Sequence, residues 1–221
     1  EPLSKLIDVA ADKTNVDFIA VPVYVLALPS GVRMVSIPVS PRDPNPAANV
    51  TDGVSVARYD PTRQPPTYLF ASRGGVVPEQ LEMLPGRSFW VRNPGDSVNL
   101  NIAGEPVDTT IPFSLTLEKG WNMAGNMYNA PLPWSNLNIT PGQVVRDYGF
   151  LYNPTTGSYE LVTDLVGIGT TALVPRNAGF WIKSDARWTV SVTPVTSAEA
   201  VPEQKPAVQL QAGDYLVPIV V

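Results

Sequence analysis

The sequence predicts an all-β protein with two tandem β-sandwich or open-barrel modules from an internal duplication, and with apolar strands near both ends of the chain. Three observations predict this class. The 221 residues include 24 Pro, roughly double the usual share of about 5%, and a Pro inside a helix removes a backbone donor. Short segments such as Trp188–Val192 alternate apolar and polar residues, as a strand with one buried face does. Similar landmarks also recur in the two halves of the chain in the same order.

Residues 1–30 are predicted to form a short helix followed by an apolar strand. Leu3, Leu6, Ile7 and Ala10 recur at helical spacing, which suits a short amphipathic helix. Residues 17–28 then form a run that is apolar at almost every position. Because a strand that is apolar on both faces needs cover on both sides, we expect this strand to be enclosed by other elements.

The internal duplication is inferred from residues that recur at nearly constant spacing. Alignment of Gly31 with Gly120 also matches, without a gap, Met34 with Met123, Asn49 with Asn138, Thr51 with Thr140 and Gly53 with Gly142. Further along, Tyr59-Asp60-Pro61-Thr62 matches Tyr152-Asn153-Pro154-Thr155, and Phe89-Trp90-Val91 matches Phe180-Trp181-Ile182. We therefore expect a first β repeat at residues 31–104, a connector at 105–119 and a second β repeat at 120–194.

Each repeat is expected to contain a hairpin and a strand with two large aromatic residues. The Pro-containing turns after Tyr59 and Tyr152 join Tyr-bearing strands, which predicts one hairpin in each copy. In the pairs Phe89-Trp90 and Phe180-Trp181, neighbouring side chains point to opposite faces of one strand. One member of each pair should therefore fill the core of its module, and the outward member is a candidate for contact with a ligand.

The second repeat resembles a known class of β-rich repeat. Its opening, GWNMAGN at residues 120–126, is followed by Pro133-Trp134-Ser135 and later by a segment that ends in Phe180-Trp181-Ile182. This arrangement is similar to a repeat of large bacterial secreted and surface proteins, in which a GWN opening precedes a PGxG-aromatic-W strand. The first repeat departs from it, with Val32-Arg33 where Trp-Asn is expected. The resemblance implies an extracellular accessory or scaffold module, and it brings no catalytic residues.

Residues 195–221 are predicted to be a Pro-rich linker followed by an apolar strand. Residues 196–209 are rich in Pro, Glu, Ala and Gln, whereas residues 215–221 are almost wholly apolar. A tethered hydrophobic strand tends to aggregate unless it pairs in a fixed place. That place is either a groove in its own chain or an open sheet edge on a neighbouring subunit, reached by β-strand addition. The candidate assembly residues of the two terminal strands are Phe18, Ile19, Val21, Val23, Tyr24, Val25, Leu26, Tyr215, Leu216, Val217, Ile219 and Val220.

The composition argues against enzymatic function. The chain contains no His and no Cys, which removes imidazole and thiolate metal ligands, the Ser/His/Asp triad and a Cys nucleophile. The Gly-containing segment at residues 167–171 lacks the Lys of a phosphate-binding loop. We therefore predict that the protein is not an enzyme and has no cofactor and no metal site.

Charge and hydropathy narrow the range of partners. The net charge is −5 and no run of Lys or Arg occurs, so we expect no binding to nucleic acid. The longest near-continuous apolar run, residues 18–28, is interrupted by Pro22 and is shorter than the ~20 residues that a transmembrane helix needs. The expected partners are copies of the same chain, with a surface polysaccharide as a further candidate.

Two sets of side chains are candidate carbohydrate sites. Asn49-Val50-Thr51 and Asn138-Ile139-Thr140 are glycosylation sequons at equivalent places in the two repeats, and hydroxyl-capped turns are the alternative interpretation. Flat aromatic rings can stack on sugar faces where they are exposed, whereas most rings in a β protein pack in the core. The candidate stacking residues are Trp121, Trp134, Tyr128 and Tyr148.

Together these features predict an extracellular structural protein, with a self-assembling filament or surface-layer subunit joined by β-strand addition as the leading version. The alternative is a carbohydrate-binding or adhesive module of a larger bacterial surface protein. A chain that starts at Glu1 rather than Met is what removal of an export signal would leave, and a trimmed chain would look the same.

Overall fold

The computed structural model describes residues 22–72, 81–139, 148–163 and 170–195. These residues form 17 strands, one short α-helix and one 3-10 helix. The predicted all-β class is therefore confirmed. No helix in these four stretches has the length and apolar character that crossing a membrane requires.

The first module extends from strand β1 to strand β7. Its elements are β1 (Val23–Leu28), β2 (Gly31–Ser36), β3 (Val39–Pro41), α1 (Pro46–Asn49), β4 (Ser55–Asp60), β5 (Thr67–Ser72), β6 (Ser88–Asn93) and β7 (Val98–Pro106). Helix α1 is a single turn that begins at a Pro, and the Asn45 side chain caps it by accepting a hydrogen bond from the amide of Ala47 at 2.9 Å.

The second module begins at strand β8. Its strands are β8 (Phe113–Leu117), β9 (Gly120–Gly125), β10 (Leu132–Pro133), β11 (Leu137–Asn138), β12 (Gly149–Asn153), β13 (Ser158–Val162), β14 (Thr170–Thr171), β15 (Leu173–Val174), β16 (Gly179–Ser184) and β17 (Trp188–Val192). The 3-10 helix, Trp134–Asn136, lies between β10 and β11.

Each module is a sandwich of an inner and an outer sheet. The first module packs the inner sheet β2-β6-β4-β5 against the outer sheet β1-β7-β3. The second packs the inner sheet β14-β13-β12-β16-β9 against the outer sheet β11-β17-β8, and β10 pairs with β15 beside them. A separate apolar cluster, which we call the seam, joins residues of the two inner sheets. The molecule therefore has four sheet layers with three apolar interfaces between them.

Strands β6 and β16 show how two consecutive aromatic residues are both buried. Phe89 points into the core of the first module, whereas Trp90 points into the seam. Phe180 and Trp181 repeat this arrangement in the second module, and both are fully buried. The predicted core ring is thus present in each module, but the outward ring is covered by the opposite module. The hypothesis that an outward Trp contacts a ligand is wrong for both positions.

The two predicted hairpins are present. Strands β4 and β5 pair with Tyr59 opposite Tyr68, and strands β12 and β13 pair with Tyr152 opposite Tyr159. In the first turn, the Asp60 carboxylate accepts hydrogen bonds from the amide and hydroxyl of Thr62 at 3.0 and 2.6 Å. This Asx geometry is the physical reason that the Asp-Pro-Thr sequence marks a turn.

Strand β1 departs from the sequence prediction in two ways. It pairs with β7 of its own module, in antiparallel register from Val23 opposite Ala103 to Leu28 opposite Val98, so it is part of the first sandwich rather than a separate segment. Only alternate residues are buried, and the exposed fractions of Val23 and Val25 are 55% and 48%. The expectation that both faces of this strand are covered is wrong for residues 23–28, because one face of the outer sheet faces solvent.

Strand β8 lies within residues 105–119, the segment predicted to be a connector, and pairs with β17 as β1 pairs with β7. Several predictions fall on residues outside the described ranges. These are the helix within residues 1–14 and the assembly residues Phe18, Ile19, Val21, Tyr215, Leu216, Val217, Ile219 and Val220.

The two halves pair their strands in matching register. Met34 lies opposite Trp90 in the first inner sheet, and Met123 lies opposite Trp181 in the second. Gly31 and Gly120, which open the matched strands β2 and β9, have φ angles of 107° and 97°, a conformation that favours glycine. The duplication itself stays an interpretation of the sequence, and we use the matched positions below as a way to compare the modules.

Candidate functional site at the junction of the modules

The seam is built from aromatic rings that each module presents to the other. The Trp90 ring lies edge-on to Tyr152 at a centroid distance of 4.8 Å, and the Trp181 ring lies edge-on to Tyr59 at 5.6 Å. Each tryptophan therefore contacts a tyrosine from the opposite hairpin. Edge-to-face pairs of this kind contribute about 0.5–1.5 kcal/mol each beyond the burial of apolar area.

The tyrosines of the seam form a second set of contacts within each hairpin. The rings of Tyr59 and Tyr68 are 5.4 Å apart, and those of Tyr152 and Tyr159 are 5.7 Å apart. Burial raises the pKa of Tyr68 and Tyr159 above the ordinary value of 10.0. The phenols therefore remain neutral at physiological pH, where a charged phenolate in this apolar interface would be costly.

Small residues let the two inner sheets approach closely where they cross. A Cβ atom added to Gly125 would collide with the side chain of Ser36, and one added to Gly179 would lie 2.7 Å from Oγ of Ser88. Backbone hydrogen bonds cross the junction beside these contacts, from the Ser36 amide to the Asn177 carbonyl and from the Gly125 amide to the Gly86 carbonyl, both at 2.9 Å. The modules are thus joined by backbone bonds as well as by apolar packing.

Two asparagines of the GWNMAGN segment hold loops rather than a ligand. Asn122 bridges the β8–β9 turn, with its Oδ1 accepting from the Glu118 amide at 2.8 Å and its Nδ2 donating to the Glu118 carbonyl at 2.7 Å. Asn126 is fully buried and donates from Nδ2 to the carbonyls of Ala130 and Val174. The residues that carry the resemblance therefore have structural roles in this chain.

A cleft of about 410 Å³ opens beside the seam. Its walls come from both modules: the end of β4 with its turn, the loop at residues 84–87, strand β8, the middle of β9, and Arg187. The lining includes three guanidinium groups, those of Arg58, Arg87 and Arg187, and two carboxylates, those of Asp60 and Glu118. The cleft is therefore a charged pocket in a chain that is acidic overall.

The charged side chains of the cleft interact with one another. Glu118 and Arg187 form an ion pair with an N–O distance of 3.2 Å, and Asp60 pairs with Arg63 outside the cleft lining at 3.4 Å. Burial, and after it the positive charge of Arg87, lowers the pKa of Arg58 to about 10, while Asp60 acts in the opposite direction. Arg58 therefore lies within electrostatic reach of both a like charge and a carboxylate.

The sequence did not single out Arg58 and Arg87, although it contained a signal. Alignment of Tyr59 with Tyr152 matches Arg58 with Leu151, which is part of the core of the second module. Arg58 is two residues from Val56 and so lies on the core face of β4. A charged residue at a position that is a core leucine in the other repeat is unusual, and comparison of the repeats could have found it.

Three of the four predicted sugar-stacking rings are inaccessible. Trp134 and Tyr128 are 1% exposed and Tyr148 is 5% exposed, and all three pack in apolar clusters. The stacking interpretation is wrong for these residues, because a buried ring cannot offer its face to a sugar. Trp121 is partly exposed, but its ring packs against Phe150 and Trp181, and Lys183 Nζ lies 5.6 Å from its centroid. The structure does not bring the four residues together into one platform.

The two sequon asparagines use their side-chain amides in local hydrogen bonds. Asn49 Nδ2 donates to the carbonyls of Asp43 and Asn45 at 2.8 and 3.0 Å. Asn138 Nδ2 donates to the Ser191 carbonyl at 2.9 Å and to the Thr193 hydroxyl at 2.8 Å. A glycan on either amide would replace one hydrogen and remove one of these bonds, so the bonds argue against glycosylation at both asparagines. They come from the Asn amides and do not test the hydroxyl-capped turns.

The described residues contain no group of three or more Asp or Glu side chains placed to hold a metal ion. No protein-family model, no curated protein and no solved structure matches this chain.

Proposed function

We propose that this chain is an extracellular, non-catalytic structural subunit that joins copies of itself by β-strand addition, building a filament or a surface layer. One observation carries the proposal. Within the described ranges, each outer sheet ends in strands that are paired on one side only, β1 and β3 in the first module and β11 and β8 in the second, and β1 and β8 are the longer ones. A strand edge of this kind presents backbone donors and acceptors to which a further strand can pair.

The pairing of β1 indicates which terminal segment would be donated. Because β1 is paired along its length with β7, its buried Leu26 and Leu28 belong to the core of their own module. The other terminal segment, residues 215–221, is apolar and follows a Pro-rich tether. We therefore propose that this segment is the donor strand.

The energetics are consistent with reversible assembly. Burial of a large apolar side chain contributes about 1.5–3 kcal/mol, so five such side chains of the donor contribute roughly 8–15 kcal/mol. Loss of translational and rotational freedom costs at least about 4 kcal/mol. The balance lies near the roughly 8 kcal/mol of micromolar association, so assembly should depend on concentration.

The seam supports a structural role because it fixes the two modules to each other. Backbone hydrogen bonds and edge-to-face ring contacts hold the two modules against each other at this junction. The extracellular location is supported by the resemblance of residues 120–126 to bacterial surface repeats. The polysaccharide alternative is weaker, because three of its four candidate rings are buried.

Deletion of residues 215–221 tests the proposal. We expect the wild-type chain to form concentration-dependent oligomers in sedimentation velocity and extended particles in negative-stain microscopy, and the truncated chain to remain monomeric with an unchanged melting temperature. Deletion of residues 197–203, seven residues of the tether, is the matched control and should leave assembly intact. A truncated chain that still assembles, or one that melts at a clearly lower temperature, would contradict the proposal, the second outcome because the strand would then belong to its own fold.

A further inference from the structure

Strand β1 has an open backbone edge. The Gly104 amide of β7 donates to the Pro22 carbonyl at 3.1 Å, so the residue directly before β1 turns its carbonyl toward β7. Because the backbone groups of successive strand residues point to opposite sides, every second residue of β1 bonds to β7 in the same way. The backbone groups that point away from β7 are those of Val23, Val25 and Ala27. In the part of the chain that the structure describes, no strand pairs with them.

The side chains along this edge are apolar on both faces. Val23 and Val25 are 55% and 48% exposed on the outer face. On the inner face, Leu26 belongs to the core of the first module, and the partly buried Tyr24 packs against that core. Natural edge strands usually carry charged residues that oppose pairing, and β1, with the sequence VYVLAL, includes none. The edge of β1 is therefore suited to receive a further strand.

The matched edge of β8 is less suited to an apolar donor. At the positions matched to Val25 and Ala27, β8 carries Ser114 and Thr116, and both are exposed. A strand added to β8 would place its outer side chains beside hydroxyl groups, whereas a strand added to β1 would place them beside valines. Since cross-strand neighbours on one face stabilise a sheet through their contacts, an apolar donor gains more at β1.

Residues 215–221 match an edge that is apolar on both faces. Their sequence, YLVPIVV, has the Tyr hydroxyl as its one polar side-chain group, so both faces of the segment are apolar. Pro218 has no N–H and therefore has to point its nitrogen away from the acceptor strand. In antiparallel pairing, the donor residues that bond to β1 then include Val217 and Ile219, which lie on the same face as the exposed valines.

We propose that the open edge of β1 is the acceptor for residues 215–221 of a second copy of the chain. The donor pairs antiparallel with β1, with Val217 and Ile219 beside the exposed valines and with Leu216 and Val220 on the face of the core. The inference rests on the proposed function, and it adds the acceptor strand and the side of the donor that bonds to it.

The length of the chain permits exchange between molecules. Nineteen residues, 196–214, separate Val195 from Tyr215, and an extended chain spans at most about 3.3–3.6 Å per residue. A tether of this length reaches roughly 60 Å, which is enough for a neighbouring molecule. It also allows pairing within one molecule, so the experiment has to separate these two arrangements.

Disulfide cross-linking tests the pairing in trans. The natural chain has no Cys, so an introduced pair of thiols reports on one contact. Opposite residues of an antiparallel pair have Cα atoms about 4.5–5.5 Å apart, within the range that a disulfide spans. A Val25→Cys chain is mixed with a Val217→Cys or an Ile219→Cys chain and oxidised, and the linked peptides are identified by mass spectrometry. We expect one of the two mixtures to form the link between copies.

The matched control places the thiol on the other edge. A Ser114→Cys chain carries it at the position of β8 that corresponds to Val25, and it should link to the same donors about tenfold less or weaker still. Equal linking at the two edges would overturn the choice of β1. Absence of a link between Val25→Cys and both donors would overturn the inference.

Charged residues on the edge test whether this pairing drives assembly. The variant Val23→Lys, Val25→Lys should raise the concentration at which the chain assembles by about tenfold or more, because lysines on an edge strand oppose pairing. Its melting temperature should be unchanged, since both valines are exposed. The variant Ser114→Lys, Thr116→Lys adds the same charge to β8 and should assemble as the wild type does in sedimentation velocity.

The remaining outcomes decide between occupants and between proposals. A link within one chain in the double variant Val25→Cys, Val217→Cys, with none in the mixture, shows that the segment closes on its own molecule and overturns the exchange. A link between two Val25→Cys chains identifies pairing of β1 with β1 and also overturns it. Assembly that persists in the β1 lysine variant overturns the inference but leaves the proposed function standing. A link between copies of a chain that does not otherwise assemble supports the site and contradicts the proposed function.

Discussion

The outer-sheet edges β1 and β8 hold matched positions in the two modules but border different surroundings. The Phe113 ring at the start of β8 packs against Gly86 of the first module, where an added Cβ would lie 2.7 Å from the ring. At the matched place, the Tyr24 hydroxyl of β1 donates a hydrogen bond to Oδ1 of Asn177 in the second module. Gly86 and Asn177 have φ angles of 77° and 61°. Each edge strand thus contacts a left-handed turn of the opposite module, once through an apolar ring and once through a polar group.

The residues beside the two edges differ in charge. Arg58 and Arg87 line the cleft at β8, whereas the matched residues of the second module are Leu151, a core residue, and Ala178, which forms a backbone bridge with Val35. The backbone is similar in the two places, since Arg87 forms the matching bridge with Ala124. The two modules share one backbone arrangement, while the residues at a few matched positions make one edge polar and charged.

The matched residues of the seam also differ in size. Ser36 and Ser88 of the first module contact Gly125 and Gly179, the matched residues of the second. Two serines at either crossing would collide. The first module therefore fits the second better than it fits a copy of itself, which favours pairing within one chain over pairing of like modules between chains.

The largest expected effect comes from removal of a seam tryptophan, and it compares the two halves directly. Trp181 is fully buried and contacts Tyr59 and Trp121, whereas Trp90 is 5% exposed and contacts Tyr152. We expect Trp181→Ala to lower the free energy of unfolding by about 3–5 kcal/mol, because it leaves a large cavity. The measurement is urea unfolding followed by circular dichroism.

The matched variant Trp90→Ala should lose less stability than Trp181→Ala, since Trp90 is slightly more exposed and its ring lies edge-on to one ring in the described seam, whereas Trp181 contacts two. Equal losses would show that the two rings are energetically equivalent and would remove the asymmetry. A larger loss for Trp90→Ala would show that the tryptophan of the first module stabilises the seam more than that of the second.

A smaller effect is expected from an added methyl group at the crossing of the sheets. Gly179→Ala should lower the free energy of unfolding by about 1–3 kcal/mol, because its Cβ would collide with Ser88 and approach Met34. The double variant Gly179→Ala, Ser88→Gly exchanges the small residue between the halves and should recover part of the loss in the same urea titration. If the double variant is no more stable than Gly179→Ala, the collision with Ser88 is not the cause.

Local features of the fold could be predicted from the sequence. The two hairpins follow from turn chemistry at Asp60-Pro61-Thr62 and Asn153-Pro154-Thr155, where a few adjacent residues determine the backbone. The exposure of Val23 and Val25 could not be predicted in the same way. The sequence does not distinguish an exposed valine from a buried one, because burial depends on which distant elements pack over the residue.

The candidate site was less predictable than the fold. Its lining combines residues from both modules, so it exists only once the inner sheets have packed together. Sequence reasoning placed sugar-stacking roles on Trp134 and Tyr128, which fill the second core, because an aromatic residue alone does not indicate which face of a sheet it occupies. The contrast between Arg58 and Leu151 was visible in the aligned repeats, and it is the feature that leads to the cleft.

The smallest expected effect is an alkaline loss of stability that compares Tyr68 with Tyr159. Burial raises the pKa of both phenols in the folded chain above the unfolded value of 10.0. Such groups stabilise the fold fully below pH 10, and this contribution is lost as pH rises through the folded pKa, because the unfolded chain releases the proton first. At pH 11 each tyrosine can lower the free energy of unfolding by at most about 1.4 kcal/mol, and by less after solvent screening of these partly exposed rings.

The measurement is urea unfolding between pH 8 and 11. The free energy of unfolding should fall less steeply with pH in Tyr68→Phe and Tyr159→Phe than in the wild type. The control variant Phe150→Leu alters the seam without removing a phenol, so it should lower the free energy of unfolding at every pH without changing the slope. Burial is the largest cause of the raised pKa at both positions. If the two Tyr→Phe variants reduce the pH dependence of the free energy of unfolding equally, the two halves of the seam exclude water equally. A difference would identify the half that is more accessible to water.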